Sequence, residues 1–412
     1  MSLTRRSFLR TLGVALGGLT FSSLKILSAH SIPRATIEVH GAELLICVNA
    51  GNGTPEEAAA WVEYCNGGID TPMGALRAAN GHPEPYRVKR WEIGNELYGS
   101  WQIGNTDAQG YAERYADFHR AMYAVDPDLE FIACGYDAEW NRTVVRPNPH
   151  TVSSSSVHTL PGSHIPDAVD PEEVYLELMG FLKWYPRELR HRAAPMAEIG
   201  IPPKLAITEL QIFTKSSALP NNKTLTEALW TAGMYNLAIR SGGAIELITH
   251  SALVNHGGEL EKLFGVVCAD PVWWTTHLYS TMSGTQPVAL QVAGPTFSTE
   301  GKWFPRVEDV PYLDAVALLD PAGRELTLLI VNRRPESALV TRISVRDFQP
   351  SEEVSICLLG GESFMARNSW DDPEAVRPKE IVIPAESSFV HELPPALLVR
   401  DTDYSRDKLS RL

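Results

Sequence analysis

The sequence predicts an α/β fold: an incomplete (β/α)8-type barrel of about six strands, followed by a C-terminal antiparallel β-sandwich. The chain has 412 residues, of which 44% are hydrophobic and 21% charged, so we expect a globular protein with a large core. Up to Pro287, short apolar runs alternate with capped helical stretches, as in βα units around a parallel sheet. After Val288, short alternating runs separated by turn residues replace the helical stripes.

The predicted barrel domain covers residues 35–287. Its predicted strands are residues 43–49, the run around Trp91, and residues 129–135, 153–160, 205–211 and 244–250. Helix starts are predicted from capping patterns, in which a Thr or Asp side chain accepts from the first turn and a Glu or Gln reaches back. These patterns run from Thr54 to Glu57, Thr106 to Gln109, Asp170 to Glu173 and Thr224 to Glu227.

The predicted sandwich domain covers residues 288–400, and residues 401–412 are predicted to be a charged tail. Turn residues such as those from Asp320 to Gly323 separate its strands. The predicted strands are residues 312–319, 325–332, 340–345, 353–359, 380–383 and 388–393.

Residues 1–30 are predicted to be a targeting segment and not part of the fold. The run Thr4-Arg-Arg-Ser-Phe-Leu9 is a twin-arginine pattern, and an apolar stretch rich in small residues follows at 12–21. That stretch is too short for a permanent transmembrane helix, so no stable membrane anchor is expected. The segment predicts export to the periplasm or the cell exterior, with cleavage near Ala29.

Charge and composition exclude several classes of partner. The net charge of −14 argues against a nucleic acid as the main partner, because phosphate binding requires a basic surface, and it is compatible with a neutral polymer. The five cysteines are scattered without a disulfide or zinc pattern. The sequence lacks the HExxH, P-loop and dinucleotide-binding motifs, so neither a cofactor nor a metal ion is expected.

Two glutamates carry the functional prediction. Glu96 follows a strand rich in β-formers that breaks at Gly94, and Glu209 lies near the end of the apolar run 204–211. The carboxyl ends of the strands in a parallel barrel open onto one face, where distant residues can converge. Sugar hydrolysis requires two carboxyl groups across the glycosidic bond, one as proton donor and one as nucleophile or base. We therefore expect a glycoside hydrolase, with Glu96 as the acid/base and Glu209 as the nucleophile.

Three further residues are candidate substrate ligands. Asn95 is a candidate partner of the sugar hydroxyl next to the reacting carbon. His158 ends a predicted strand, and it either orients Glu209, contacts a sugar hydroxyl or is an ordinary core histidine. Trp101, in the loop after Glu96, is a candidate stacking partner for a sugar ring, with core packing as the alternative.

Other residues of the same types fit a site less well. Glu246 lies inside the last barrel strand and Glu139 in a predicted loop, so both are rivals of Glu209 with poorer placement. Trp273 and Trp274 follow an Asp-Pro pair and are more typical of residues that pack a helix.

These motifs together resemble the α-L-arabinofuranosidases of glycoside hydrolase family 51. The resemblance covers roughly residues 43–290 and is carried by GTPEEAAAWVEYCN at 53–66, TPMGALRAANGH at 71–82, WEIGNE at 91–96, YADFHRAM at 115–122, ITE at 207–209 and VNHG at 254–257. It implies a (β/α)8 barrel with a jelly-roll sandwich and the removal of terminal α-L-arabinofuranosyl groups from arabinose-containing saccharides with retention. It also implies Glu96 as acid/base, Glu209 as nucleophile, Asn95 as a hydroxyl ligand and His158 near the nucleophile.

The same resemblance places residues 43–49 at the third barrel strand, so two strand–helix units are expected to be missing. A six-stranded arc has open edges, which another chain could cover, as in a homo-oligomer. The alternatives are another retaining barrel glycosidase, acting on xylosides or glucans, and a truncated, inactive carbohydrate-binding protein.

Overall fold

The computed structural model describes residues 43–346, 348, 353–384 and 388–402. The predicted targeting segment and residues 403–412 of the predicted tail lie outside this part of the chain, so export and cleavage near Ala29 stay predictions. Within the described residues, the helices fall short of the length and apolarity needed to cross a bilayer.

The order of elements follows the predicted change from βα units to antiparallel strands. The described helices are α1 (Pro55–Asn66), α2 (Pro72–Ala79), α3 (Ala108–Val125), α4 (Ala138–Val145), α5 (Pro171–Glu198), α6 (Leu225–Arg240) and α7 (Pro271–Ser280). The described strands are β1 (Leu45–Val48), β2 (Arg90–Ile93), β3 (Glu130–Ala133), β4 (Ser154–Thr159), β5 (Leu205–Leu210), β6 (Ile245–Ile248), β7 (Leu260–Leu263), β8 (Val266–Ala269), β9 (Gln286–Pro287), β10 (Thr296–Phe297), β11 (Val310–Pro311), β12 (Leu313–Leu319), β13 (Leu326–Asn332), β14 (Leu339–Ser344), β15 (Glu353–Leu359), β16 (Lys379–Pro384), β17 (Ser388–Leu393) and β18 (Leu397–Thr402).

Strands β1 to β6 form one six-stranded sheet in chain order, which confirms the predicted barrel-type arc. The pairs β1–β2, β2–β3 and β3–β4 are parallel. Backbone N–H groups continue the sheet: that of Ser155 donates to Lys204, that of Gln211 to Thr159 and that of Thr249 to Ile207. Each of the six predicted strands is present, and the five that were predicted with bounds are each shorter than predicted, because the residues at their ends belong to the adjoining loops.

The described chain divides into two compact units, of which the first comprises the residues up to Val157 together with Arg190–Ala206. Its core is formed where β2 and β3 pack against helices, with Trp91, Ile93 and Phe131 buried among residues of α1 and α3. The buried guanidinium of Arg77 donates to four backbone carbonyls, those of Tyr64, Gly67, His82 and Pro83. It thereby fixes the irregular segment that leads into β2.

The second unit comprises His158–Leu189 and the residues from Ile207 onward. It contains an antiparallel sheet of six strands in the order β16-β15-β18-β13-β12-β9 and a separate pair, β14 with β17. Buried residues of the large sheet share one apolar cluster with Leu393 of β17, so the two sheets pack face to face. The predicted antiparallel sandwich is confirmed.

The prediction missed several strands of this unit, including the two-residue strands β9, β10 and β11. Strand β18 pairs with both β13 and β15 although it contains charged residues. Its Arg400 is accommodated because the guanidinium donates to the carbonyl of Leu278 and to the hydroxyl of Thr281. The hairpin of β7 and β8 was also missed.

The helix starts agree with the sequence in part. Thr54 and Glu57 form the predicted capping box of α1, with N–H···O distances of 3.2 and 2.9 Å. The prediction for α3 was wrong by one residue: Asp107 is the N-cap and its carboxylate accepts from the N–H of Gly110 at 2.8 Å. Thr106 belongs to the preceding loop, where its N–H donates to Leu97.

The predicted capping box of α6 was also wrong. Thr224 occupies the N-cap position, but its side chain makes no capping hydrogen bond. Glu227 is fully buried, and its carboxylate accepts from the N–H of Ile212, past the end of β5, at 2.8 Å. At the start of α5, Asp170 accepts from the N–H of Glu172 at 2.9 Å, as the sequence predicts, whereas Glu173 accepts from the ammonium of Lys302.

Candidate active site

Glu96 lies in a sharp turn directly after β2. Both Gly94, with φ of 80°, and Glu96, with φ of 48°, adopt left-handed backbone conformations. For a residue with a side chain this conformation costs about 1–2 kcal/mol, and such strain concentrates at functional sites. The positive φ of Gly94 favours glycine there, and an added Cβ would also lie 2.7 Å from Cδ1 of Leu97. The sequence break at Gly94 therefore aims the Glu96 side chain away from the strand.

Two aromatic side chains hold the Glu96 carboxylate. The indole N–H of Trp101 donates to Oε2 at 2.6 Å, and the hydroxyl of Tyr98 donates to Oε1 at 3.3 Å. A Cβ on Gly99 would lie 2.3 Å from the Trp101 ring, so this glycine gives the indole its place. Tyr98 in turn stacks on Tyr136 with a centroid distance of 4.2 Å.

Two side chains of α3 hold the end of β2 and the loop that follows it. The hydroxyl of Tyr111 donates to the carbonyl of Ile93 and accepts from the N–H of Cys134, both at 2.7 Å, so it joins the ends of β2 and β3. Burial raises the pKa of Tyr111, which keeps the hydroxyl neutral and able to do both. Arg114 donates to the carbonyls of Ala50 and Gly104 and ties the loops after β1 and β2 together.

Glu209 lies near the carboxyl end of β5, with about a quarter of its side chain exposed. Its Oε1 lies 3.5 Å from Nδ1 of His158, a residue of β4 whose side chain is only 8% exposed. Its Oε2 accepts from the hydroxyl of Ser251 at 3.1 Å. The carboxylate is thus flanked by one residue from each neighbouring side of the sheet.

The loop after β6 is fixed against the end of β5. Asn255, His256 and Gly257 have consecutive left-handed conformations. The carbonyl of Gly257 accepts from the amides of Gln211 and Asn222, the latter at 3.0 Å. A Cβ on Gly257 would lie 1.9 Å from Nδ2 of Asn222, so glycine is required at this point of the VNHG motif.

Asn95 and Trp101, two of the candidate substrate ligands, both lie close to Glu96 in the chain. Asn95 is half-buried between Gly94 and Glu96. Trp101 is 67% exposed, and its ring nitrogen is engaged by Glu96. The expectation that no metal or cofactor is bound stays a prediction, as do the substrate roles of Asn95, His158 and Trp101.

The rivals lie away from these strand ends. Glu246 is the second residue of β6. The loop position predicted for Glu139 was wrong, because Asp137 caps a helix there and Glu139 sits in its first turn, paired with Arg142 at 2.9 Å. Trp273 and Trp274 lie on α7, as expected for residues of a helix.

Sequence reasoning missed Tyr98 and Ser251. Both contact a candidate catalytic carboxylate. Ser251 follows an apolar strand in the same way as Glu96 and Glu209 do, so the rule that located the glutamates could have found it. Tyr98 carries no such signal, because it lies in the turn beyond β2 and does not directly follow an apolar strand.

Two family descriptions match most of the chain. Residues 37–164 match the family described as "Alpha-L-arabinofuranosidase 1 domain", and residues 203–396 match the "Alpha-L-arabinofuranosidase C-terminal domain". The "Probable alpha-L-arabinofuranosidase C" of Aspergillus niger is 30% identical over 383 residues, which are 86% of this chain and 73% of that protein.

Two solved structures are similar in fold. The arabinose complex of the α-L-arabinofuranosidase of Thermotoga maritima has a TM-score of 0.78 and 29% identity, over 88% of this chain and 76% of that one. The family 51 enzyme of Thermotoga petrophila has a TM-score of 0.74 and 30% identity, with the same coverage. On the identity, the coverage and the shared fold, the chain belongs to the α-L-arabinofuranosidases of glycoside hydrolase family 51.

Proposed function

We propose that this chain hydrolyses terminal α-L-arabinofuranosyl groups of arabinose-containing saccharides with retention, using Glu96 as acid/base and Glu209 as nucleophile. The observation that carries the proposal is the placement of the two glutamates. Each follows or ends a strand of the same parallel sheet at its carboxyl end, and each has its carboxylate held by hydrogen-bond donors. Family membership supplies the substrate class.

The proposed reaction has two steps. In the first, an oxygen of Glu209 attacks the anomeric carbon while Glu96 gives its proton to the leaving oxygen, so a glycosyl ester forms and the aglycone departs. In the second, Glu96 takes a proton from water as the water oxygen attacks the same carbon, and the Glu209 carboxylate is released. Two inversions give net retention.

The chemistry matches the surroundings of each side chain. Trp101 and Tyr98 orient the Glu96 carboxyl group, which must reach the leaving oxygen at a defined angle. Ser251 donates to Oε2 of Glu209, and the attack is assigned to Oε1, which lies beside Nδ1 of His158. Asn95, next to Glu96, is proposed to bind the hydroxyl beside the anomeric carbon, a contact that strengthens in the transition state.

The experiment uses an aryl α-L-arabinofuranoside with purified wild type and variants. Glu96→Gln and Glu209→Gln should each lose at least about 10³-fold in kcat/KM if they carry the proton transfer and the attack. Glu139→Gln is the matched control, because this exposed rival should leave activity unchanged. Folding of each variant is checked by circular dichroism.

Added azide separates the two roles. It should rescue Glu96→Ala on a substrate with a good leaving group and give an arabinosyl azide of retained configuration, because the glycosyl ester still forms. It should rescue Glu209→Ala with inverted configuration, since azide then replaces the nucleophile. If folded wild-type protein does not cleave arabinosides, the result favours the alternative of an inactive carbohydrate-binding protein. If it cleaves only xylosides, the result favours a different glycosidase.

A further inference from the structure

Behind the ends of β5 and β6 lies a buried ion pair that the proposed reaction does not use. Glu227 of α6 is fully buried, and its Oε1 lies 3.0 Å from Nε2 of His250. Its Oε2 accepts from the N–H of Ile212 at 2.8 Å. One carboxylate therefore ties together the two chain segments that leave β5 and β6.

These two segments carry Glu209 and Ser251. His250 directly precedes Ser251, whose N–H donates to the carbonyl of Leu210 at 3.2 Å and whose hydroxyl donates to Oε2 of Glu209 at 3.1 Å. His250 and Ser251 are joined by a single peptide bond, so the contact of His250 with Glu227 restrains the backbone next to the hydroxyl that bonds Glu209.

Both side chains of the pair are buried. Burial by itself would lower the pKa of His250, but the hydrogen bond and the charge of Glu227 outweigh it, and the pKa lies above its ordinary value. A second buried carboxylate, Glu259, is nearby and accepts from the hydroxyl of Thr276 at 2.5 Å. Buried ion pairs contribute little net stability compared with apolar packing, so a stability role explains this one poorly.

We propose that Glu227 and His250 are positioning residues that hold Ser251 against Oε2 of Glu209, and that this hydrogen bond promotes hydrolysis of the glycosyl ester. The inference rests on the proposed function. Its step is the second one: the water oxygen bonds to the anomeric carbon, the bond from that carbon to Oε1 breaks, and its electron pair returns to the carboxylate. The proton of the water goes to Glu96.

The proposal has a distinct kinetic signature. A hydroxyl donates more strongly to a carboxylate than to an ester carbonyl, and the transition state lies between the two. Without the hydroxyl, the barrier for hydrolysis of the glycosyl ester rises, because the transition state loses a stronger hydrogen bond than the ester does. The barrier for formation of the ester does not rise, because the free enzyme starts as the carboxylate, which loses the strongest hydrogen bond. Ser251→Ala should therefore lower kcat and KM together, each by roughly fivefold, with kcat/KM unchanged or slightly higher.

The test measures steady-state and burst kinetics on an aryl arabinofuranoside whose good leaving group makes ester hydrolysis limiting. Ser251→Thr retains the hydroxyl and should restore the wild-type values. Glu227→Gln should show the same signature in weaker form, and the double variant Ser251→Ala/Glu227→Gln should resemble Ser251→Ala alone. Tyr175→Phe, which removes a buried hydrogen bond to the carbonyl of Arg333 elsewhere in the same unit, is the control and should change the melting temperature without changing the kinetics.

Four results would overturn the inference. A fall in kcat/KM with unchanged KM in Ser251→Ala would mean a general structural disturbance. Additive losses in the double variant would mean that Glu227 acts independently of Ser251. If Ser251→Ala behaves as wild type while wild type turns over normally, this inference fails and the proposed function stands, whereas wild type without turnover would remove both.

Discussion

At the scale of single residues, the environment of Glu96 depends on one small and one large neighbour. Gly99 leaves room for the Trp101 ring, and that ring places its N–H 2.6 Å from the carboxylate. The indole is 67% exposed, so burial does not account for its position. The hydrogen bond to Glu96 and the edge contact with Tyr98 do.

Replacing the indole by a phenyl ring isolates this hydrogen bond. Trp101→Phe keeps an aromatic surface but removes the N–H, so kcat/KM on an aryl arabinofuranoside should fall about tenfold, which is the usual worth of a hydrogen bond to a charged group. Ile103→Ala is the control, because Ile103 lies in the same loop and is 74% exposed. Activity of Trp101→Phe equal to that of wild type would show that the N–H does not position Glu96.

At the scale of secondary-structure elements, capping geometry decides where the helices begin. Thr54 and Glu57 lie at the right spacing and make both bonds of the capping box. Thr106 and Gln109 have the same spacing, but Asp107 lies between them and its carboxylate is the better acceptor for the first turn. Because two residues that can cap a helix follow each other, the sequence alone places the start of α3 only to within one residue.

This choice of cap can be measured by stability. Asp107→Ala should reduce the free energy of unfolding by about 1 kcal/mol, since the N–H of Gly110 loses its partner. Thr106→Ala should change the free energy of unfolding by less than about 0.5 kcal/mol. Thr106 holds the loop through its backbone N–H, which donates to Leu97, and its side chain is not the cap of α3. Urea unfolding of both variants checks the prediction, and a larger loss for Thr106→Ala would reverse the assignment.

At the scale of the whole molecule, the second unit is held together by a buried polar network between α6 and the antiparallel sheet. Asp314 of β12 accepts from Arg333 at 3.0 Å and from Arg240 of α6 at 2.9 Å. Asn236 of α6 donates to the same carboxylate at 3.0 Å. The helix and the sandwich-type sheet of this unit thus share charged groups and apolar contacts.

Removing the central carboxylate should destabilise this unit strongly. Asp314→Ala leaves the buried guanidinium of Arg333 without its counter-ion, a change that typically costs about 3–5 kcal/mol. Glu308→Ala, which breaks an exposed ion pair with Arg306, is the control and should cost under about 1 kcal/mol. Chemical unfolding of both variants checks the difference, and equal losses would mean that the network contributes nothing specific.

The stability that is lost in Asp314→Ala should depend on pH in a defined direction. Burial would raise the pKa of Asp314, but Arg333 and Arg240 outweigh it, and the pKa lies below its ordinary value of 3.8. The stability that this carboxylate provides is therefore complete above about pH 3.8 and is lost as the pH falls through the lower pKa of the folded state. The difference in the free energy of unfolding between wild type and Asp314→Ala should therefore decrease in that acid range.

The sequence by itself determined the order of the elements, the change from βα units to antiparallel strands and the positions of Glu96 and Glu209 at strand ends. These features are local, because hydrophobic period, caps and glycine breaks act over a few residues. Only the tertiary structure decided that Ser251 bonds Glu209, that Glu227 is turned inward to His250 and that Arg400 belongs to a strand. Such contacts join residues far apart in the chain, and the register of paired strands, which no short stretch encodes, brings them together.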